Sequence, residues 1–302
     1  MAIPSQLAHE RSTQPVTQPR ALGAFVELAK PGVTGLVTVT LLTGALTAPE
    51  HADWSKLLLA TLGTVAVVAS ANSLNMYLER DTDALMSRTR VRPLPTGRLS
   101  PEMVLAYAGI SAVFGLSLLG AFVGLLPALL TLLALVSYVA VYTPLKRVTP
   151  LALWAGAVPG ALPPLIGWAS VMGSLSALAW MQFWILFVWQ LPHFLAIAIF
   201  RREEYARAGM KVLPVVHGVR RTKIEIALYT LVLVLVSLLP IGLGLASWAY
   251  AVVALGSGLS FLVLATAGLA AKNERRWARR VFFASMPYLV VVLGALAVFA
   301  ER

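Results

Sequence analysis

The stretch Asn-Met-Tyr-Leu-Glu-Arg-Asp-Thr-Asp, residues 75–83, ends a long apolar run and puts three acids at the edge of a membrane-length segment. On an α-helix advancing 100° per residue, with Asn75 at 0°, Glu79 falls at about 40°, Asn72 at about 60° and Asp83 at about 80°. Four oxygen-bearing side chains thus share one stripe, while Asp81, at about 240°, points elsewhere. Carboxamide and carboxylate oxygens in a row suit a hard cation. Mg²⁺ is usually held by one or two carboxylates, with waters and substrate phosphates completing its shell. The competing reading is a solvated helix end whose acids pair with Arg80 and Arg88. Acids that face the interior of a membrane bundle are costly and mark function, which favours the cation.

The next segment, MSRTRVRPLPTGRLSP (86–101), brings Arg88, Arg90, Arg92 and Arg98 within reach of whatever the acids hold, and Pro93, Pro95 and Gly97 turn the chain. Carboxylates followed by arginines have the make-up of a Mg²⁺–diphosphate site: the metal bridges acids to phosphate, and guanidinium forks take the remaining oxygens. A loop obeying the positive-inside rule also explains the arginines, but not the ordered acids before them.

The elements that must position these groups follow from composition. Of 302 residues, 59% are hydrophobic and 12% charged, and there is no cysteine. A soluble domain carries roughly a quarter charged residues, so the chain reads as an all-α polytopic membrane protein without disulfides or thiolate chemistry. Its net charge of +11 suits loops facing an anionic leaflet; no basic amphipathic element points to nucleic acid. Residues 1–29 read as a disordered cytoplasmic tail without a signal-peptide pattern, and residues 30–302 as a single membrane domain. Nine apolar runs read as spans: 32–48, 57–79, 102–124, 126–143, 150–172, 177–200, 224–246, 248–271 and 281–299. Nine spans put 22 of the 24 lysines and arginines on one side and leave only Lys56 and Arg302 on the other. This predicts a cytoplasmic N-terminus, an outer C-terminus and a central cavity open to the cytoplasm. Pro159, Pro163 and Pro164, with Gly156, Gly160 and Gly167, predict an irregular fifth span lining that cavity or packing closely. Charges gathered at one face argue against a transporter, which needs them near the midplane.

The order N-x-x-x-E-x-x-x-D-x-x-M-x-R-T-x-x-R-P-L, Asn75 to Leu94, resembles the first signature of the UbiA superfamily of intramembrane prenyltransferases, with Glu79 where the usual form has Asp. The second signature of that superfamily is commonly D-x-x-x-D. Here its two acidic positions fall on Arg201 and Tyr205, with Glu204 between them. WQLPHF (189–194), YTPLKR (142–147) and GALPPLIGW (160–168) resemble one branch, the protoheme IX farnesyltransferases, although Ala152 stands where many of its members carry Asn. The resemblance implies Mg²⁺ on Asn75, Glu79 and Asp83 with Asn72 assisting, and diphosphate on Arg88, Arg92 and Lys146. It implies a heme acceptor at Trp189, His193, Arg201, Glu204 and Tyr205, with Phe194 and Trp168 as flat apolar walls. His193 lies about 12 Å along the helix from Arg201, a sensible spacing between a propionate anchor and a heme iron. It reads either as an axial ligand or polar contact to the acceptor, or as a histidine hydrogen-bonded near the Pro192 kink. His9, His51 and His217 read as structural. The implied partners are farnesyl diphosphate, protoheme IX, the lipid bilayer, and a heme A synthase or terminal-oxidase assembly proteins. The implied location is the bacterial cytoplasmic membrane, rather than the mitochondrial inner membrane. A prenyltransferase for an aromatic quinone precursor is the alternative, and Arg201 in the second signature argues against it.

Overall fold

The computed structural model describes residues 21–301; the remainder of the expected tail, with His9, lies outside the described residues. The chain runs through helices α1 (Ala21–Leu28), α2 (Pro31–Thr47), α3 (Trp54–Asp83), α4 (Pro101–Leu118), α5 (Leu125–Val136), α6 (Thr143–Leu145), α7 (Ala152–Ala161), α8 (Pro163–Met172), α9 (Ala177–Phe200), α10 (Arg202–Arg207), α11 (Leu213–Val216), α12 (Gly218–Gly242), α13 (Trp248–Thr266) and α14 (Glu274–Phe299). Residues 21–28, assigned to the disordered tail, are therefore helical. Among the described residues, eight helical runs are long and apolar enough to cross a membrane, and α1 with α2, bent by 52°, makes a ninth.

Several helices run on past the apolar segments into charged sequence. α3 continues through Asp83, α12 begins at Gly218 and α14 at Glu274. Outside the hydrocarbon, Arg, Lys and Glu are good helix formers and the helices keep going. Asp53 accepts from the backbone N–H groups of Ser55 (2.9 Å) and Lys56 (3.4 Å), capping α3. Ser100, followed by Pro101, caps α4, and Ser176 caps α9.

The irregular fifth span is α7 and α8, broken at Leu162, where two prolines open α8. α8 lies hard against α2. A Cβ on Gly167 would stand 1.9 Å from the Leu41 carbonyl oxygen, and one on Gly44 would stand 2.0 Å from that of Pro164. Small residues let the two backbones touch, the usual means of helix association where lipid is as apolar as the side chains. Two π-helical turns, Leu119–Val123 and Ser137–Tyr142, were not expected. The second leads into α6 and shifts the register of Thr143 and Lys146.

Named contacts sort the loops by end. Ser87 meets Glu204, Arg147 meets Thr82, the Lys211 N–H meets the Lys146 carbonyl, Arg98 meets Glu27, and Lys223 meets Glu274. These loops are the basic ones. At the other end the Ser247 N–H donates to the Phe299 carbonyl, and the Glu301 N–H to that of Leu245.

Candidate active site

α3 presents the acidic stripe as helical geometry requires. Asn72, Asn75, Glu79 and Asp83 are between 1% and 3% exposed, whereas the Asp81 side chain is 87% exposed beside Arg80. The solvated-end reading therefore holds for Asp81 alone.

Each member of the stripe has a partner from elsewhere. Lys30 Nζ donates to Asn75 Oδ1 at 3.0 Å, and Asn75 Nδ2 donates to Thr143 Oγ1 at 3.2 Å. Lys146 forms an ion pair with Glu79. Arg92 Nη1 donates to Asp83 Oδ2 at 2.6 Å. Asn72 Nδ2 donates to the Ala29 carbonyl at 3.2 Å, tying α3 to the corner between α1 and α2. Three cations, Lys30, Lys146 and Arg92, thus stand one to each of Asn75, Glu79 and Asp83.

Lys30 was read from the sequence only as a loop charge. Alone among the described non-glycine residues it has positive φ (48°, ψ 73°). Such backbone strain costs on the order of 1–3 kcal/mol and gathers at functional sites. Here it aims the ammonium at Asn75. The lone Lys-Pro step before an apolar run was its sole sequence signal.

The arginines of the 86–101 segment divide. Arg92 joins the site. Arg98 forms a double hydrogen bond with Glu27 (2.8 and 2.6 Å), clamping α1 to the loop. Arg88 and Arg90 are exposed, and Arg88 is among the charges that act on Tyr205. Arg147 donates to the Leu78 carbonyl and Thr82 Oγ1, securing the end of α3.

The second loop closes over the same end. Glu204, expected to contact the acceptor, is held by Arg201 (3.1 Å) and Ser87 (3.3 Å). Tyr205 packs with Met86, Ala208 and Met210. Burial is the chief cause raising its pKa, and the neighbouring Tyr142 phenol adds to it, while Arg88, Lys146 and Arg201 oppose. Tyr205 thus joins the second-signature segment to Met86 of the segment that follows the acidic stripe.

Two turns deeper on α9, His193 lies between flat rings. Trp189 stacks on it with centroids 4.6 Å apart, Phe282 of α14 lies 4.6 Å away, and Phe194 meets it edge-on at 5.4 Å. Trp168, expected to share this wall, lies on α8, buried in the same core cluster as Trp189. His193 Nδ1 is 2.7 Å from Ser285 Oγ, and Trp189 Nε1 donates to the Ser285 carbonyl at 2.6 Å. Towards the basic end, Arg201 and Arg279 both lie over the Phe200 ring, at 5.8 and 5.9 Å. Arg279 and Ser285 were missed: an arginine among five basic residues in one loop and a serine in an apolar run carry no local signal.

The stripe suits a divalent cation. Asp83 Oδ1 is buried and has no hydrogen-bond partner among the described residues, so it keeps a free lone pair where an ion would sit. No group of three or more His, Cys, Asp or Glu that could hold a metal occurs among the described residues. Two carboxylates and an amide leave coordination positions for phosphate oxygens and water, the usual Mg²⁺ arrangement.

A buried acid stripe flanked by cations thus lies at one end of a helical membrane bundle, a make-up suited to a metal-bound diphosphate. Residues 36–286 match the model of the UbiA prenyltransferase family, and the chain belongs to that family as an integral membrane protein. Its relatives include the protoheme IX farnesyltransferase of Sorangium cellulosum, 50% identical over 81% of this chain and 87% of that one. That of Anaeromyxobacter dehalogenans is 44% identical over 92% and 95%. Among solved structures, a UbiA homolog from Archaeoglobus fulgidus bound to GPP and Mg²⁺ matches with TM-score 0.68 at 15% identity, covering 90% of this chain and 99% of that one. A digeranylgeranylglyceryl phosphate synthase matches with TM-score 0.78 at 18% identity, over 93% and 99%. At such identities these likenesses show the fold.

Proposed function

We propose that the chain transfers the farnesyl group of farnesyl diphosphate to a vinyl group of protoheme IX, giving heme O and pyrophosphate. The observation that carries this is the pairing of two subsites at one end of the bundle: the acid stripe with its three cations, and the His193 wall topped by Arg201 and Arg279. The name shared by the relatives supplies the acceptor, and arginine in place of the second acidic signature supports a dianionic one.

Asn75, Glu79 and Asp83 would hold Mg²⁺, with Asn72 keeping α3 in register. When bound, the ion neutralises the diphosphate and makes it a better leaving group. Lys30, Lys146 and Arg92 then turn from the stripe to phosphate oxygens, where they stabilise the charge that develops as the allylic C–O bond breaks. Arg88, exposed on the 86–101 segment, meets the diphosphate from the loop after α3. The terminal vinyl carbon forms the new C–C bond. Water adds to the adjacent carbon and loses a proton, leaving a hydroxyethylfarnesyl group. The apolar bundle keeps water from the farnesyl carbon before that bond forms. Arg201 and Arg279 take the porphyrin propionates, Trp189, Phe194 and Phe282 face its apolar surface, and His193 ligates the iron. Glu204 orients Arg201.

The basic end faces the cytoplasm of a bacterium, with the N-terminus inside and the C-terminus outside, which puts soluble farnesyl diphosphate on the site's side of the membrane. The product remains in the lipid, suited to hand-over to a heme A synthase or to terminal-oxidase assembly proteins. Chromatography of heme extracts from a strain lacking heme O tests the reading. Introducing this gene yields heme O, and an unchanged heme B profile with the protein present in the membrane overturns it.

A further inference from the structure

The hydrogen bonds around Ser285 determine which nitrogen of His193 carries a proton. Ser285 Oγ lies 2.7 Å from the Phe282 carbonyl oxygen and 2.7 Å from His193 Nδ1. A carbonyl only accepts, and the hydroxyl has one hydrogen. Both contacts are satisfied only if that hydrogen goes to Phe282 and the serine oxygen accepts from Nδ1–H. A neutral His193 then carries its lone pair on Nε2. Trp189 and Phe282, each 4.6 Å from the imidazole, restrict its tilt. The Trp189 Nε1–H bond to the Ser285 carbonyl fixes one of those rings to the residue that sets the tautomer. Histidines that ligate metals characteristically donate their second N–H to such an oxygen, which fixes ring orientation and raises ligand basicity.

We propose that Ser285 is a positioning residue of the acceptor subsite, holding His193 with Nε2 directed as the axial ligand to the iron of the incoming porphyrin. α14 thereby contributes to both halves of the acceptor's recognition, Ser285 for the iron and Arg279 for the carboxylate edge. The proposal rests on the reading of protoheme IX as acceptor and His193 as its ligand.

The test uses the full-length protein in lipid nanodiscs, titrated with ferric protoheme and followed by absorption and resonance Raman spectra. Wild-type protein, Ser285→Ala, Ser285→Thr and His193→Ala are compared. Outer partners of metal-ligating histidines typically matter by about 10–100-fold in metal affinity. Ser285→Ala is expected to weaken heme binding by about that factor and to alter the iron–histidine band, with the KM for farnesyl diphosphate unchanged. Ser285→Thr, which keeps the hydroxyl, restores both. Ser285→Ala leaves the Trp189 bond to the backbone carbonyl in place, and equal melting temperatures show that folding is not what changed. If Ser285→Ala keeps wild-type affinity and spectrum while His193→Ala loses them, the positioning role is refuted and the ligand reading stands. If His193→Ala also keeps them, both fall.

Discussion

Asp83→Asn separates a metal ligand from a structural acid. The carboxylate divides its labour: Oδ2 accepts from Arg92 Nη1 at 2.6 Å, and Oδ1 is buried without a hydrogen-bond partner among the described residues. Asparagine is nearly isosteric, but its nitrogen cannot accept. Its oxygen must therefore stay on Arg92, and its NH₂ group takes the place of the present Oδ1, directing two hydrogens at the cation's position. Charge and lone pair are lost together. Deleting one electrostatic contact to a transition state typically costs 10²–10³-fold in kcat, about 3–4 kcal/mol, and that range is expected here, with a higher Mg²⁺ requirement. The fold should hold. Breaking a buried ion pair costs about 3–5 kcal/mol, but the Arg92 side chain is 17% exposed and keeps a neutral hydrogen bond, so the loss should be smaller. Asp81→Asn, two residues away and solvated, should stay within about twofold of wild type, since exposed charges away from such features contribute little. The assay is turnover of labelled farnesyl diphosphate onto heme in proteoliposomes across a Mg²⁺ titration, with thermal unfolding in parallel. Wild-type turnover and Mg²⁺ dependence in Asp83→Asn would refute the metal role. Equal losses in both variants would refute the helical assignment of the stripe.

Lys30→Met removes the ammonium beside Asn75 and keeps an unbranched apolar stem one atom shorter. Steady-state kinetics should show the KM for farnesyl diphosphate rising about tenfold, equivalent to about 1.4 kcal/mol, with the KM for heme unchanged; the reverse pattern would move Lys30 to the acceptor side. Gly167→Ala drives a Cβ to 1.9 Å from the Leu41 carbonyl oxygen, so α2 and α8 must part. Overpacking of this kind costs about 1–3 kcal/mol, measurable as a lowered melting temperature in detergent, and an unchanged melt would mean the helices pack elsewhere. Arg279→Gln should raise the KM for heme severalfold and leave that for farnesyl diphosphate alone; an effect confined to the diphosphate substrate counts against the propionate assignment.

What was legible in the sequence was whatever depends on neighbours along one helix. The stripe from Asn72 to Asp83, and the exclusion of Asp81 from it, need only 3.6 residues per turn, and the break between α7 and α8 is announced by Pro163 and Pro164. The pairings are another matter. Lys30 meets Asn75 across 45 residues, Asn75 meets Thr143 across 68, and His193 meets Ser285 across 92. No local pattern encodes them, because in an apolar run a threonine or serine most often bonds its own preceding turn, as Thr131 and Ser170 do here. Ser285 does the same with Phe282, so its local bond conceals its distant one. The π-helical turn at Ser137–Tyr142 is equally silent, since no glycine or proline marks it within the helical run. Yet that turn sets where Thr143 and Lys146 arrive, and so whether Glu79 finds a cation. The acids could be found because a helix repeats. Their partners depend on how helices distant in sequence are inserted against one another, and the left-handed turn at Lys30 that completes the set is a cost the chain bears only once that packing exists.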